Sequence, residues 1–174
     1  MNSIPTKTTY LEMTSPVSRA VAIPPMPDLA MQRVYQPSVE YYRFLYSSVG
    51  RDLYWVDRLP EFLSDAELES AIHDERVEIY VLHVHNQPAG YTELDRRKAS
   101  EIEIAYFGLF PQYIGQGLGK YLLDWTLERA WSHLPSRVWV HTCDLDHPAA
   151  LANYLRAGFH VYNEQVIEQA IPDG

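Results

Sequence analysis

The chain has 174 residues, 47% hydrophobic and 21% charged, which separates it from disordered and collagen-like sequences and suits one globular domain over 1–174. Its 23 acidic against 14 basic residues give a formal charge of -9, a field that repels nucleic acid and anionic membranes, so neither is expected as a partner. Cys143 is the only cysteine, which excludes an intramolecular disulfide, and no apolar run reaches the roughly 18 residues of a membrane span or follows a basic start like a secretory leader; a cytoplasmic location is expected.

Residues 1–37 hold Pro5, Pro16, Pro24, Pro25, Pro27 and Pro37 and read as a proline-rich irregular arm. Within it Thr8–Met13 has the content of a short edge strand. Ser38 then caps a helix whose Tyr42, Leu45, Tyr46 and Val49 recur at helical spacing up to Gly50. Ser64 and Glu67 form a capping-box pattern that opens a second helix through Leu68 and Ile72. The aromatic segment Leu53-Tyr54-Trp55-Val56 between them either packs or lines a cleft.

Alternation over Val77–His85, a turn at Asn86-Gln87-Pro88 and a strand over Ala89–Leu94 make a β-hairpin. A charged connection at Asp95–Lys98 leads to a third strand over Glu101–Phe110. Helical spacing follows in Leu118, Leu122, Leu123, Leu127, Ala130 and Leu134, then a strand over Arg137–Thr142. A helix from about Asp146 or His147 to Ala157-Gly158 precedes a last strand, Phe159–Val161 and Gln165–Ile171, with a bend at Asn163-Glu164. The order β-α-α-β-β-β-α-β-α-β makes this an α/β (α+β) chain.

The junction Leu109–Lys120 carries most of the functional information. Gly115, Gly117 and Gly119 end an apolar run and open a helix, a place where bare amides and the helix dipole can hold an anion. A Walker A loop is excluded, because Ile114 stands where its first glycine belongs and Tyr121 follows Lys120. A dinucleotide fingerprint is excluded too, since Lys120 or Leu122 occupies the third glycine position. His83, His85 and His141 invite a metal reading, but histidines two apart on a strand are common packing or surface residues, and no metal is expected.

Between a strand and a helix, this segment resembles the acyl-CoA pyrophosphate loop of the GNAT superfamily of N-acetyltransferases, with its pattern Arg/Gln-x-x-Gly-x-Gly/Ala. Gln112-x-x-Gly115-x-Gly117 matches it literally; a second register ending in Gly117-Leu118-Gly119 abuts the helix and puts Ile114 where Arg or Gln is usual. The second is preferred, although both remain open. A second segment, His147 to Phe159, is similar to the same family's Asn-x-x-Ala-x-x-x-Tyr-x-x-x-Gly-Phe stretch, with His147 in the Asn position.

The resemblance implies a GNAT-like mixed, mostly antiparallel twisted sheet flanked by helices, with acetyl-CoA as co-substrate and direct transfer of its acetyl group to a primary amine of a small molecule or peptide. It implies donor binding by Leu109, Phe110, Ile114, Gly115, Gln116, Gly117, Leu118, Gly119, Lys120 and Asn153, with Tyr154 as the acid that protonates the departing sulfur. A non-catalytic acyl-CoA-binding module is the rival reading, and a homodimer is left open. An alkyl amine of pKa about 10.4 is neutral only about once in 10³ to 10⁴ molecules at pH 7, so a base matters. Glu103 is the first candidate and Glu101, on the same strand face, the second.

Overall fold

A computed structural model describes residues 2–17 and 22–171. Residues 1 and 18–21 of the expected arm, and 172–174 at the end of the expected domain, lie outside the described residues. The elements are β1 (Asn2–Met13), β2 (Leu29–Arg33), α1 (Val39–Gly50), α2 (Asp65–Ile72), β3 (Val77–Val84), β4 (Gln87–Asp95), β5 (Glu101–Leu109), α3 (Leu118–Ser132), β6 (Arg137–Cys143), α4 (Ala150–Ala157) and β7 (His160–Ile171). Among the described residues they form one seven-stranded sheet in the order β2-β3-β4-β5-β6-β1-β7, in which only the β5–β6 pair is parallel. The fold is the expected mixed, mostly antiparallel sheet flanked by helices.

Two parts of the N-terminal reading are corrected. The arm contains a further strand, β2, where Leu29–Arg33 pairs antiparallel with Val84–Tyr80; Asp28 at φ 60° turns the chain into it. β1 is not an edge strand: it runs from Asn2 and lies between β6 and β7, paired on both sides. Pro5 is tolerated in it because it lies on the stretch that extends past β6 and pairs with β7 alone.

Local chemistry fixes the helix starts. The Ser38 hydroxyl accepts from the Tyr41 N–H at 3.1 Å, and Ser64 and Glu67 complete a reciprocal capping box. α1 then buries Tyr42, Leu45, Tyr46 and Val49, and α2 buries Leu68 and Ile72, against Ile79, Val81 and Tyr91 of β3 and β4. On the opposite face Leu123, Leu127 and Ala130 of α3 and Tyr154 of α4 pack on Leu94, Ile102, Ile104, Val138, Val140 and Leu11. Among the described residues, the hydrophobic cluster under α1 and α2 takes none from β6, β1 or β7.

The site is positioned by a break in the sheet. β5 and β6 pair only over Glu101–Glu103 and Arg137–Trp139, and beyond these residues they part. In the β4–β5 ladder Glu93 faces Tyr106 while Leu94 faces Ile104, so Ala105 is an extra residue, a β-bulge. The bulge reverses the alternation: Ile104 packs toward α3, and Tyr106, two residues on, joins the cluster under α1.

Candidate active site

A cavity of about 1360 Å³ runs through the gap between β5 and β6. At one end lies the loop before α3. Gly115 and Gly117 have φ of +88° and +80°, the left-handed region that favours glycine, whereas Gly119 sits in the first helical turn with no such demand. A Cβ at Gly115 would meet nothing within 4 Å, so backbone conformation rather than crowding calls for glycine there. Gly117 is the N-cap of α3 and offers no side chain to the first-turn amides; the Tyr121 N–H bonds back to the Gly117 carbonyl at 3.4 Å. These amides at the positive end of a 15-residue helix form an open cradle suited to a pyrophosphate.

The expected donor-site residues divide. Leu109, Ile114, Gly115, Gly117, Gly119, Lys120, Asn153 and Tyr154 line the cavity. Gln116 does not line it, its amide donating to the Gln112 carbonyl at 3.3 Å; Gln112 also lies off the lining, while Ile114 is on it. Leu118 is buried in the core, leaving only its backbone for the cradle. Phe110 is buried under α1, and its N–H is engaged with the Ala89 carbonyl at 2.8 Å, so it has no free donor for a ligand. The Lys120 ammonium is bonded to Asp124 at 2.6 Å, and Asn153 accepts from Arg156.

The two strand carboxylates also separate. Glu101 is held by Arg137 at 2.7 Å, and the same guanidinium reaches Glu12 at 2.7 Å. Glu101 lines a smaller cavity of about 440 Å³, while Glu103 lines both. Glu103 Oε1 stands 3.8 Å from His141 Nδ1. Burial, with the negative charges of Asp95 and Glu93 adding to it, pushes the Glu103 carboxyl up to about 7. Burial lowers His141, against the opposing pull of Asp146 and Asp57. A carboxylate that titrates near neutrality beside a neutral imidazole can take a proton from an ammonium.

Tyr154 is buried against Phe107 and Phe159 and lines the cavity from α4, and its hydroxyl makes no protein hydrogen bond among the described residues. Burial and then Asp146 push its phenol up, so it keeps its proton until a stronger base forms beside it. Cys143 also lines the cavity, and burial, reinforced by Asp146, raises its thiol. That disfavours the thiolate a nucleophilic cysteine needs. His83 and His85 lie on and just after β3, two strands away from the β5–β6 gap that His141 borders, so the three histidines are not brought together.

Several residues that build the other end of the cavity are not evident from sequence. Glu93 is fully buried, accepts from the Tyr42 hydroxyl at 2.7 Å and pairs with Arg58 at 2.9 Å. Arg58 also donates to the Tyr42 hydroxyl at 2.7 Å and lies over the Tyr106 ring, 4.6 Å from its centroid. This pins the segment after α1, so that Trp55 packs on Tyr46 and Tyr106. Asp146, in the loop after β6, accepts from Thr142 at 2.7 Å, the Cys143 N–H at 3.0 Å and the Trp55 indole at 3.3 Å. A carboxylate inside the apolar strand Ala89–Leu94 was the one sequence signal for the Glu93 network.

The family model for the acetyltransferase (GNAT) family matches residues 38–159. A curated relative, mycothiol acetyltransferase from Streptosporangium roseum, is 35% identical over 86 residues, 49% of this chain but 24% of the relative. Among solved structures, a GCN5-related N-acetyltransferase from Sphaerobacter thermophilus superposes with a TM-score of 0.71 at 15% identity, covering 96% of this chain and 52% of that one. A GCN5-related N-acetyltransferase from Kribbella flavida gives 0.64 at 14% identity, covering 99% and 61%. The chain thus spans a quarter of the curated relative and about half of the first of these structures.

Proposed function

The chain belongs to the GNAT acetyltransferase family, and on that premise we propose that it moves an acetyl group from acetyl-CoA directly to a primary amine of a small molecule or peptide. Acetyl-CoA, the co-substrate, supplies an activated thioester. The amides of residues 115–120 at the start of α3 hold its pyrophosphate, with Ile114 at the loop entrance and Leu109 and Asn153 along the gap. Because Ile114 brings no hydrogen-bond donor, this binding depends on backbone groups.

Glu103 takes the proton that the acceptor ammonium must lose, and Tyr154 gives one to the sulfur as it departs. The observation that carries this assignment is the pairing of a carboxyl poised near 7 with an unpartnered buried phenol on one cavity. Glu101 is instead engaged in an ion pair with Arg137 and lies off the large cavity. A cysteine held as a thiol supports direct transfer over a covalent acetyl-enzyme. The name of the Streptosporangium relative agrees with acetyl transfer as the chemistry.

The test is release of free CoA thiol from acetyl-CoA in the presence of an amine panel. Amine-dependent release is expected; acetyl-CoA binding with no release for any amine would favour a non-catalytic acyl-CoA module.

A further inference from the structure

β1 ends at Met13 in the sixth position of the sheet and β2 begins at Leu29 in the first, so the chain between them passes over one face. The face it crosses is the one that carries α3 and α4. Val17 stands at the C-terminal end of α4, its Cγ2 2.5 Å from where a Cβ on the C-cap Gly158 would lie, and only a glycine there leaves it room. The Ala22 N–H donates to Glu128 of α3 at 3.3 Å. Pro25 reaches the N-terminal end of α3, its Cβ 3.4 Å from the Cβ position of Gly117, and Met26 packs against the cluster around Leu118 and Leu122. These contacts fix the described part of the connection, residues 14–17 and 22–28, alongside the glycine loop.

Three apolar side chains of the connection border the large cavity. Val17, Ile23 and Pro25 line it together with Tyr121 of α3 and Asn153 and Ala157 of α4. Ile23 is 75% and Val17 45% exposed. Large apolar side chains scattered singly on a surface need no explanation, but these share a cavity with the pyrophosphate cradle and with the Tyr154 hydroxyl. CoA carries its pyrophosphate in mid-molecule, with the pantetheine arm and thioester on one side and adenosine on the other. With the pyrophosphate at residues 115–120 and the thioester at Tyr154 and Glu103, the adenosine is sent outward, along α3 and α4, where the connection stands.

Resting on the acetyl-CoA reading above, we infer that the connection between β1 and β2 is the outer wall of the donor site, and that Val17 and Ile23 cover the adenine ring of the donor. A flat base with two large faces is held by the apolar surface it buries, and it covers in turn two side chains that otherwise face water. Pro25 ties this wall to the cradle: its ring fixes the backbone beside Gly117, so the adenine and pyrophosphate subsites keep their spacing. The wall serves the donor alone, because its residues come from the side of the sheet that holds α3 and α4, whereas Trp55 and Arg58 at the other end of the cavity belong to the segment after α1.

Calorimetric titration with CoA, and with ADP, which carries the adenine and the pyrophosphate without the pantetheine arm, is compared in the parent, Ile23→Ser, Ile23→Leu and Val17→Ser. Ile23 is so exposed that folding is not at stake, and melting curves without ligand check this for each variant. Ile23→Ser and Val17→Ser are each expected to weaken CoA and ADP by the same factor, roughly three- to tenfold, while Ile23→Leu binds both like the parent. Parental affinity for both ligands in folded Ile23→Ser and Val17→Ser overturns the wall. So does a loss of CoA affinity with ADP unaltered, which would put the contact on the pantetheine arm, and so does a parent that binds CoA but no ADP at millimolar concentration. A parent that binds neither ligand refutes the acetyl-CoA reading itself, a failure distinct from all of these.

Discussion

The indole of Trp55 donates to Asp146 at 3.3 Å, joining the segment after α1 to the loop after β6, and both residues line the cavity. Asp146 uses its other oxygen for Thr142 and the Cys143 N–H. One carboxylate therefore sets both the end of β6 and the position of an aromatic wall. Asp146→Ala leaves those donors without their acceptor and should cost about 2 kcal/mol, a fall in Tm of roughly 4–8 °C in a chain of this size. Trp55→Phe keeps the ring and drops a single long hydrogen bond, and should cost no more than about 1 kcal/mol. Thermal unfolding of both variants checks the order.

Glu103 should make stability depend on pH. Its folded carboxyl titrates near 7 against an ordinary 4.5, so the folded state holds the proton more tightly than the unfolded state does. Below about 4.5 both states are protonated and no cost appears; between 4.5 and 7 stability falls as pH rises, and above 7 the full cost remains. Glu103→Gln removes this term and should be more stable than the parent at pH 8 by up to about 3 kcal/mol, with the gain vanishing near pH 4. Denaturant midpoints at the two pH values measure it.

Arg58 and Glu93 should behave as a unit. Arg58→Ala strands a fully buried carboxylate and should cost about 3–5 kcal/mol. Adding Glu93→Leu removes the stranded charge and should recover much of that loss. A double-mutant cycle by urea unfolding measures the coupling; additive losses would show that the pair does not act together.

Gly115 and Gly117 test the cradle. Gly115→Ala meets open space, so its cost is the left-handed backbone alone, about 1–2 kcal/mol. Gly117→Ala adds a contact with Pro25 at 3.4 Å. Both should raise the acetyl-CoA KM with a smaller effect on the acceptor KM, whereas Gly119→Ala, with ordinary φ and its nearest neighbour at 3.8 Å, should do less. Initial rates with each substrate varied in turn separate the three.

Much of this fold can be read from residue order because its signals are local. Ser38 and Ser64 announce their helices by hydrogen bonds reaching three residues, and the alternation of Val77–Val84 declares a strand that is then buried on both faces. β2 escapes because five residues in a proline-rich stretch become a strand only by pairing with β3, some fifty residues on. The interior place of β1 depends likewise on β6 and β7. At the site, a period of two puts Glu101 and Glu103 on one face and cannot tell them apart. What distinguishes them is Arg137, which reaches Glu101 from β6, and the place of Glu103 on the large cavity beside His141. The Ala105 bulge that puts Tyr106 beneath α1 leaves no trace in a hydrophobic pattern.

The most direct test of the mechanism is thiol release from acetyl-CoA, with saturating acceptor, followed from pH 5.5 to 9 for the parent, Glu103→Gln and Tyr154→Phe. The parent rate should rise with pH through an apparent pKa near 7, because Glu103 accepts a proton only once it has lost its own. Glu103→Gln should lower kcat by 10²-fold or more and abolish that rise, and Tyr154→Phe should lower kcat while leaving the acetyl-CoA KM in place. A Glu103→Gln protein that keeps the parental rate and the same pH profile would contradict the assignment of the base.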